Sequence, residues 1–266
     1  MLKGSQRYSF ELFVVCMILF LFFCGFGCKK SISAASSIPI TDSVATDTLR
    51  KDSLPKDTLP KDTIPHPPTA YTYLALGDSY TIGTSVAEDY RYPIQVATQL
   101  NRQGIALQKP DFIATNGWTT QDLLNGIALK MPPNTYDVVS LLIGVNNQYQ
   151  QRDTVGYREQ FRKCLIEAVR LAAGKAGHVF VLSIPDYSVT PFGHGSVSIA
   201  LQIQQYNQIN YEVTTEYGIN YTNITPISQQ AATNSSLIAS DGLHPSGQQY
   251  ALWTQLLAPK IAAILQ

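Results

Sequence analysis

From residue 71 onward the chain alternates short unbroken apolar runs with longer stretches whose apolar residues recur at helical spacing. Tyr71–Leu76, Val138–Ile143 and Val179–Ile184 have the form of strands buried on both faces, and Asp111–Ala114 is a fourth candidate. Between and after them, Pro93–Gln103, Thr120–Lys130, Tyr157–Ala173, Ser198–Glu216 and Gly247–Leu265 carry a helical period. Strand and helix in alternation, joined by short Gly/Pro/Asn connectors, predict an α/β fold in three layers, α/β/α, around a central parallel sheet. In such sheets ligands bind beyond the carboxyl ends of the strands.

The pattern before residue 71 is different. Lys3 and Arg7 precede an almost continuous apolar run from Leu12 to Phe26, followed by Gly27-Cys28-Lys29-Lys30. A basic start and a short apolar core match a secretory signal. A retained membrane anchor is the alternative, disfavoured because the run falls short of the ~20 residues that span a bilayer. Gly25-Phe26-Gly27-Cys28 resembles a bacterial lipobox, with small residues at two of the three positions before the cysteine but without the usual leucine. That resemblance implies a lipid on Cys28, the first mature residue, and a lipid-anchored protein of the cell envelope, facing the periplasm or the outside. Cys24, preceded by Phe23, fits less well.

Residues 29–70 contain no aromatic side chain and repeat a five-residue unit: Lys51-Asp52-Ser53-Leu54-Pro55, Lys56-Asp57-Thr58-Leu59-Pro60, Lys61-Asp62-Thr63-Ile64-Pro65. Such a segment buries too little apolar surface to offset its ordering entropy, and its regular prolines favour an extended spacer. The expected organisation is therefore a signal over 1–27, a lipidated cysteine and tether over 28–70, and a domain over 71–266. That domain is large enough for a good core.

Charge and cysteine content narrow the partners. The chain carries 19 Lys+Arg and 19 Asp+Glu, and residues 71–266 carry 11 and 13. No basic stripe is present, which argues against nucleic acid. With Cys16 and Cys24 in the signal and Cys28 lipidated, Cys164 is alone in the domain, so no internal disulfide is expected. It lies in an amphipathic helical stretch with no adjacent histidine, and reads as a buried small apolar residue rather than a catalytic thiol.

The chemistry enters at four places. Gly77-Asp78-Ser79-Tyr80 closes the first apolar run, and Asp241-Gly242-Leu243-His244-Pro245 lies near the end of the chain. A serine hydroxyl becomes a nucleophile when a base takes its proton, and that base needs a partner to fix its tautomer. Ser79, His244 and Asp241 supply the three groups. Asn116-Gly117-Trp118-Thr119-Thr120 leads into a helix after the Phe112 strand, and Gly144-Val145-Asn146-Asn147 follows the Val138 strand. The backbone N–H groups of Ser79 and Gly117 and the Asn146 amide can donate to the oxyanion of a tetrahedral intermediate.

Ser79, Gly117, Asn146 and His244, in that order, resemble the SGNH/GDSL hydrolase family over most of residues 71–266. The resemblance implies a flavodoxin-like α/β/α fold and no metal or organic cofactor. It makes Ser79 the nucleophile, His244 the general base and then acid, Asp241 its orienter, and Gly117 and Asn146 parts of the oxyanion hole. Three departures stand out: Tyr80 where leucine is common, Asn147 where aspartate is usual, and a second block that keeps little besides its glycine.

Among the histidines, His66 lies in the tether, His178 opens an apolar run, and His194 sits in Gly193-His194-Gly195 without a carboxylate at short spacing. Asp78 reads as a residue that bonds its own loop. Trp118, Tyr149 and Tyr187 are candidates for walling the pocket. The expected protein is a monomeric serine esterase acting through an acyl-enzyme on a small-molecule or carbohydrate ester, with deacetylation of a sugar as one form. A lysophospholipase or thioesterase for longer chains is the alternative enzyme, and a glycan-binding surface lipoprotein the non-enzymatic one.

Overall fold

The computed structural model describes residues 70–132 and 135–266. The signal segment, Cys28 and nearly all of the tether lie outside the described residues. Strand β1 (Tyr73–Gly77) leads directly into the short helix α1 (Ser79–Ile82), followed by α2 (Tyr92–Arg102), β2 (Asp111–Ala114) and α3 (Thr120–Lys130). Then come β3 (Val138–Leu142), α4 (Val145–Tyr149), α5 (Thr154–Leu171) and β4 (Val179–Leu182). The chain finishes with α6 (Val197–Glu216), β5 (Asn220–Thr222), α7 (Thr225–Gln229) and α8 (Gly247–Leu265).

The five strands form one parallel sheet in the order β2-β1-β3-β4-β5. Every residue of β1, β3 and β4 is buried, which is why these strands read as unbroken apolar runs. Helices α2 and α8 pack together on one side, and α3, α5 and α6 pack in succession on the other. Tyr92, Tyr250 and Trp253 form an aromatic cluster in the first layer, with the Tyr92 and Trp253 rings 6.0 Å apart. Buried Ser140 in β3 accepts the Tyr73 hydroxyl at 2.9 Å and bonds the Tyr92 hydroxyl at 3.2 Å, so these three hydroxyls are paired, while the Trp253 indole N–H has no partner among the described residues.

The chain winds one way from β1 to β2, then crosses back to place β3 on the other flank of β1. Crossover helices diverge at such a reversal and leave a crevice at the carboxyl edge. Ser79 follows β1, Gly117 follows β2 and Asn146 follows β3, so all three leave the sheet at that edge.

Some elements were not foreseen. Strand β5 is three residues, Asn-Tyr-Thr, paired only to β4; an edge strand this short and polar has no apolar run to announce it. The helices α1, α4 and α7 are a turn or so each, too short to show a period. Helix α5 begins three residues before Tyr157, because Asp153 accepts the Gly156 N–H and caps it. His178 closes a 3-10 turn before β4 instead of opening the strand, its Nδ1 2.6 Å from the Asp137 carbonyl oxygen.

Candidate active site

The turn after β1 sets Ser79 in the wall of a cavity and buries Asp78, Tyr80 and Thr81 around it. Asp78 caps α1, its Oδ1 accepting the Tyr80 N–H at 3.0 Å. Ser79 is then the first helical residue, where a backbone N–H has no partner inside the helix and stays available. The Ser79 carbonyl accepts the N–H groups of Gly83 at 3.0 Å and Thr84 at 3.1 Å, closing the helix at left-handed Gly83. Asp78 is fully buried and its Oδ2 has no partner; burial pushes its carboxyl up to about 7, against the pull of the Tyr80 N–H.

Asp241 and His244 form a closed turn. Asp241 Oδ1 accepts the N–H groups of Leu243 and His244, both at 2.9 Å, while its Oδ2 lies 2.6 Å from His244 Nδ1. This fixes the tautomer with hydrogen on Nδ1 and leaves Nε2 as the basic nitrogen. Partial burial opposes ionisation of Asp241. Hydrogen bonds from the Ser85 hydroxyl, the His244 ring and the two backbone N–H groups outweigh it and hold the carboxyl well below the usual carboxylate range. The Tyr80 ring lies against the imidazole, centroids 5.1 Å apart and planes tilted by 53°.

The remaining two segments are braced by each other. Gly144 has φ of 128°, and a Cβ there would fall 2.3 Å from the Tyr157 hydroxyl, so only glycine lets β3 turn into α4. One N–H of the Asn146 amide goes to the Trp118 carbonyl at 3.0 Å, which orients the side chain and leaves the second N–H to donate elsewhere. Asn147 is buried, accepting the Thr120 N–H at 2.9 Å and donating to the Thr120 hydroxyl at 2.8 Å. That hydroxyl then donates to Gln160 Oε1 at 2.6 Å. An amide at position 147 therefore suits its neighbours, since a carboxylate would claim the Thr120 proton that Gln160 receives. Gly117 has φ of 79°, a left-handed conformation that glycine adopts without strain, with open space where a Cβ would stand.

Ser79, Gly117, Asn146 and His244 line one open cavity of about 220 Å³, with Asn116, Val145 and Leu243 between them. Asp241 joins them through His244. A match to the GDSL-like lipase/acylhydrolase family spans residues 75–252. The chain belongs to that family. This hydrolase also shares its fold with TesA, at 14% identity and a TM-score of 0.59, covering 73% of this chain and 99% of that one. Similar too is the acetylxylan esterase Axe2 from Geobacillus stearothermophilus (17% identity, TM-score 0.57, 73% and 94% covered). The psychrotrophic esterase EstA from Pseudoalteromonas sp. follows (12% identity, TM-score 0.56, 72% and 96% covered). No curated protein matches the hydrolase by sequence.

The aromatic wall of the cavity differs from expectation. Tyr149 and Tyr187 line it, but Trp118 does not: its ring packs against Gly126 of α3, where a Cβ would meet it at 2.3 Å. Phe192 takes the place, its ring 6.0 Å from Tyr149 and 6.1 Å from Tyr187. The Phe192 N–H donates to the Gly242 carbonyl at 3.0 Å, tying this wall to the His244 turn. A lone aromatic in a Pro/Gly loop gave no sequence signal for that role. Ser85, which donates to Asp241 Oδ2 at 2.6 Å, was also missed, because 156 positions separate the two. His194 is exposed and outside the cavity, and Cys164 is buried in α5 with its thiol pKa raised by burial.

Asp78 sets a measurable pH dependence. Its carboxyl titrates at about 7 in the folded hydrolase against 3.8 in a free chain, so unfolding releases a proton between those values. The uncharged form's contribution is whole below the lower value and is lost as pH rises through the upper one. Asp78→Asn keeps the acceptor for the Tyr80 N–H and removes the buried charge. Its melting temperature should gain on the parent's steadily from pH 4 to pH 7 and then hold level. Thermal scans of both proteins across that range check this, and a constant offset would contradict it.

Proposed function

We propose that the hydrolase is a short-chain serine esterase of the cell envelope that removes acetyl-sized groups from a carbohydrate or other polar alcohol. Ser79 Oγ attacks the carbonyl carbon as His244 Nε2 takes its proton, with the Asp241 carboxylate holding the imidazolium that forms. The tetrahedral oxyanion is met by the N–H groups of Ser79 and Gly117 and the second N–H of Asn146. His244 then gives its proton to the leaving alcohol. A water molecule, deprotonated by the same nitrogen, releases the acid from the acyl-enzyme.

The observation that carries this reading is the cavity of about 220 Å³ shared by Ser79, Gly117, Asn146 and His244. It is small beside the roughly 300–1,000 Å³ of drug-sized ligand sites, and long acyl chains need a continuous apolar channel. At its mouth stand the exposed rings of Tyr149 and Phe192, whose faces suit the C–H face of a sugar ring. That acetylxylan esterase Axe2 has this fold is consistent with a sugar ester, as a parallel only.

A panel of p-nitrophenyl esters tests the chain length: kcat/KM should peak at acetate and fall at octanoate. A maximum at long chains would favour a lysophospholipase or thioesterase instead. Ser79→Ala should abolish turnover and labelling by a fluorophosphonate; an unlabelled parent would favour a glycan-binding module. Asn146→Ala should lower kcat by about 10² to 10³ with KM little changed, read from steady-state kinetics on p-nitrophenyl acetate.

The envelope location rests on the lipobox-like Gly25-Phe26-Gly27-Cys28 and on the Pro-rich repeat that would hold the catalytic domain off a surface. A single acyl chain holds a membrane weakly, so stable anchoring at Cys28 would take a second chain or a basic patch. Expressed in a bacterium with labelled palmitate, the parent should take up label, whereas Cys28→Ser should not.

A further inference from the structure

The short turn that leaves α1 makes more contacts across the site than its length suggests. Its first two N–H groups, from Gly83 and Thr84, both end on the Ser79 carbonyl, so residues 83–85 are held rigidly to the nucleophile's own backbone. From there two successive side chains diverge. Thr84 Oγ1 donates to Asn116 Oδ1 at 2.6 Å, reaching the loop that carries Gly117. Ser85 Oγ donates to Asp241 Oδ2 at 2.6 Å, the same oxygen that accepts His244 Nδ1. Ser85 does this from a φ of 64°, a left-handed conformation that a serine rarely adopts. Strain of that kind persists where surrounding contacts impose it, and it clusters at functional sites.

We infer that Thr84 and Ser85 are positioning residues that lock the oxyanion loop and the acid–base turn, respectively, to the backbone of Ser79. The inference rests on the esterase reading of that site. Asp241 Oδ1 is fixed by two N–H groups of its own turn, but Oδ2 is fixed only by groups from outside the backbone, Ser85 and the His244 ring. The Ser85 hydroxyl thus sets the rotation of the carboxylate and draws charge from the oxygen facing the imidazole. Without it the Asp241 carboxylate is more basic and its Oδ2 is free to turn from the imidazole that it orients. The other titratable groups around His244 are Tyr80 from α1, packed on its ring, with Tyr187 and Tyr149 across the cavity. Asp78 and Asp186 act on Tyr80 in turn. Ser85 is hydrogen-bonded to Asp241 and to none of these groups, so a change at position 85 reaches His244 through Asp241.

Ser85→Gly and Thr84→Val test the two arms, with parent and Ser79→Ala in parallel, on p-nitrophenyl acetate from pH 5 to pH 9. Glycine accepts the backbone angle, so Ser85→Gly should melt at or above the parent temperature. Its kcat should fall about tenfold with KM within about twofold, and the acid limb of kcat/KM should shift by about half a pH unit. Thr84→Val should lose severalfold in kcat with the acid limb unmoved. The inference is overturned if Ser85→Gly keeps the parent's midpoint, whatever its rate, or if Thr84→Val keeps full kcat. Activity surviving in Ser79→Ala would instead remove the esterase reading beneath it.

Discussion

The reversal of winding between β1 and β3 is the constraint on which the rest of this hydrolase depends. All strands are parallel, so every β-to-α connection leaves at one edge. The sheet extends from β1 in both directions, so the connections after β1, β2 and β3 surround a crevice instead of being covered by a helix. Ser79, Gly117 and Asn146 occupy those three connections. The His244 turn reaches the same crevice from the start of α8, steadied by the antiparallel bridge between Ile238 and Pro245. The apolar strands are thus the reason the polar site exists where it does.

What the sheet brings near, short hydrogen bonds hold in place. Asn146 and Asn147 brace the Gly117 loop from one side and Thr84 from the other. Ser85 and the Phe192 N–H brace the Asp241–His244 turn. Each such bond contributes only about 1 kcal/mol of net stability in general, far less in sum than the buried apolar core. Their value lies in geometry, since donors misplaced by an ångström stabilise a transition state poorly. Core and site therefore do separate jobs with separate interactions.

The site also carries groups that a stability-optimised core would lack. Asp78 is buried with one oxygen unpaired, and the Tyr80 hydroxyl is buried without a partner. Burying such groups costs free energy. Asp78 is tied to its position by the cap of α1, and Tyr80 by its ring against His244. A leucine at position 80 would avoid the unpaired hydroxyl and lose the aromatic face against the imidazole.

Much of this protein was legible in the amino-acid order, because some of its physics is local. Buried parallel strands must be unbroken apolar runs, long helices must repeat every 3.6 residues, and Asp241 and His244 lie close enough to close one turn on themselves. Family blocks, being contiguous, stood out for the same reason. Contacts between distant segments left no such trace. Ser85 meets Asp241 across 156 positions, and Phe192 displaces Trp118 from the cavity because Gly126 offers the indole a better seat. Strand β5, held by β4 alone among the described residues, and the size of the cavity belong to the same class. The local alternation settled which elements form and which residues bear chemistry; only the folded sheet decided which side chains face one another, because that depends on where the chain crosses back over itself.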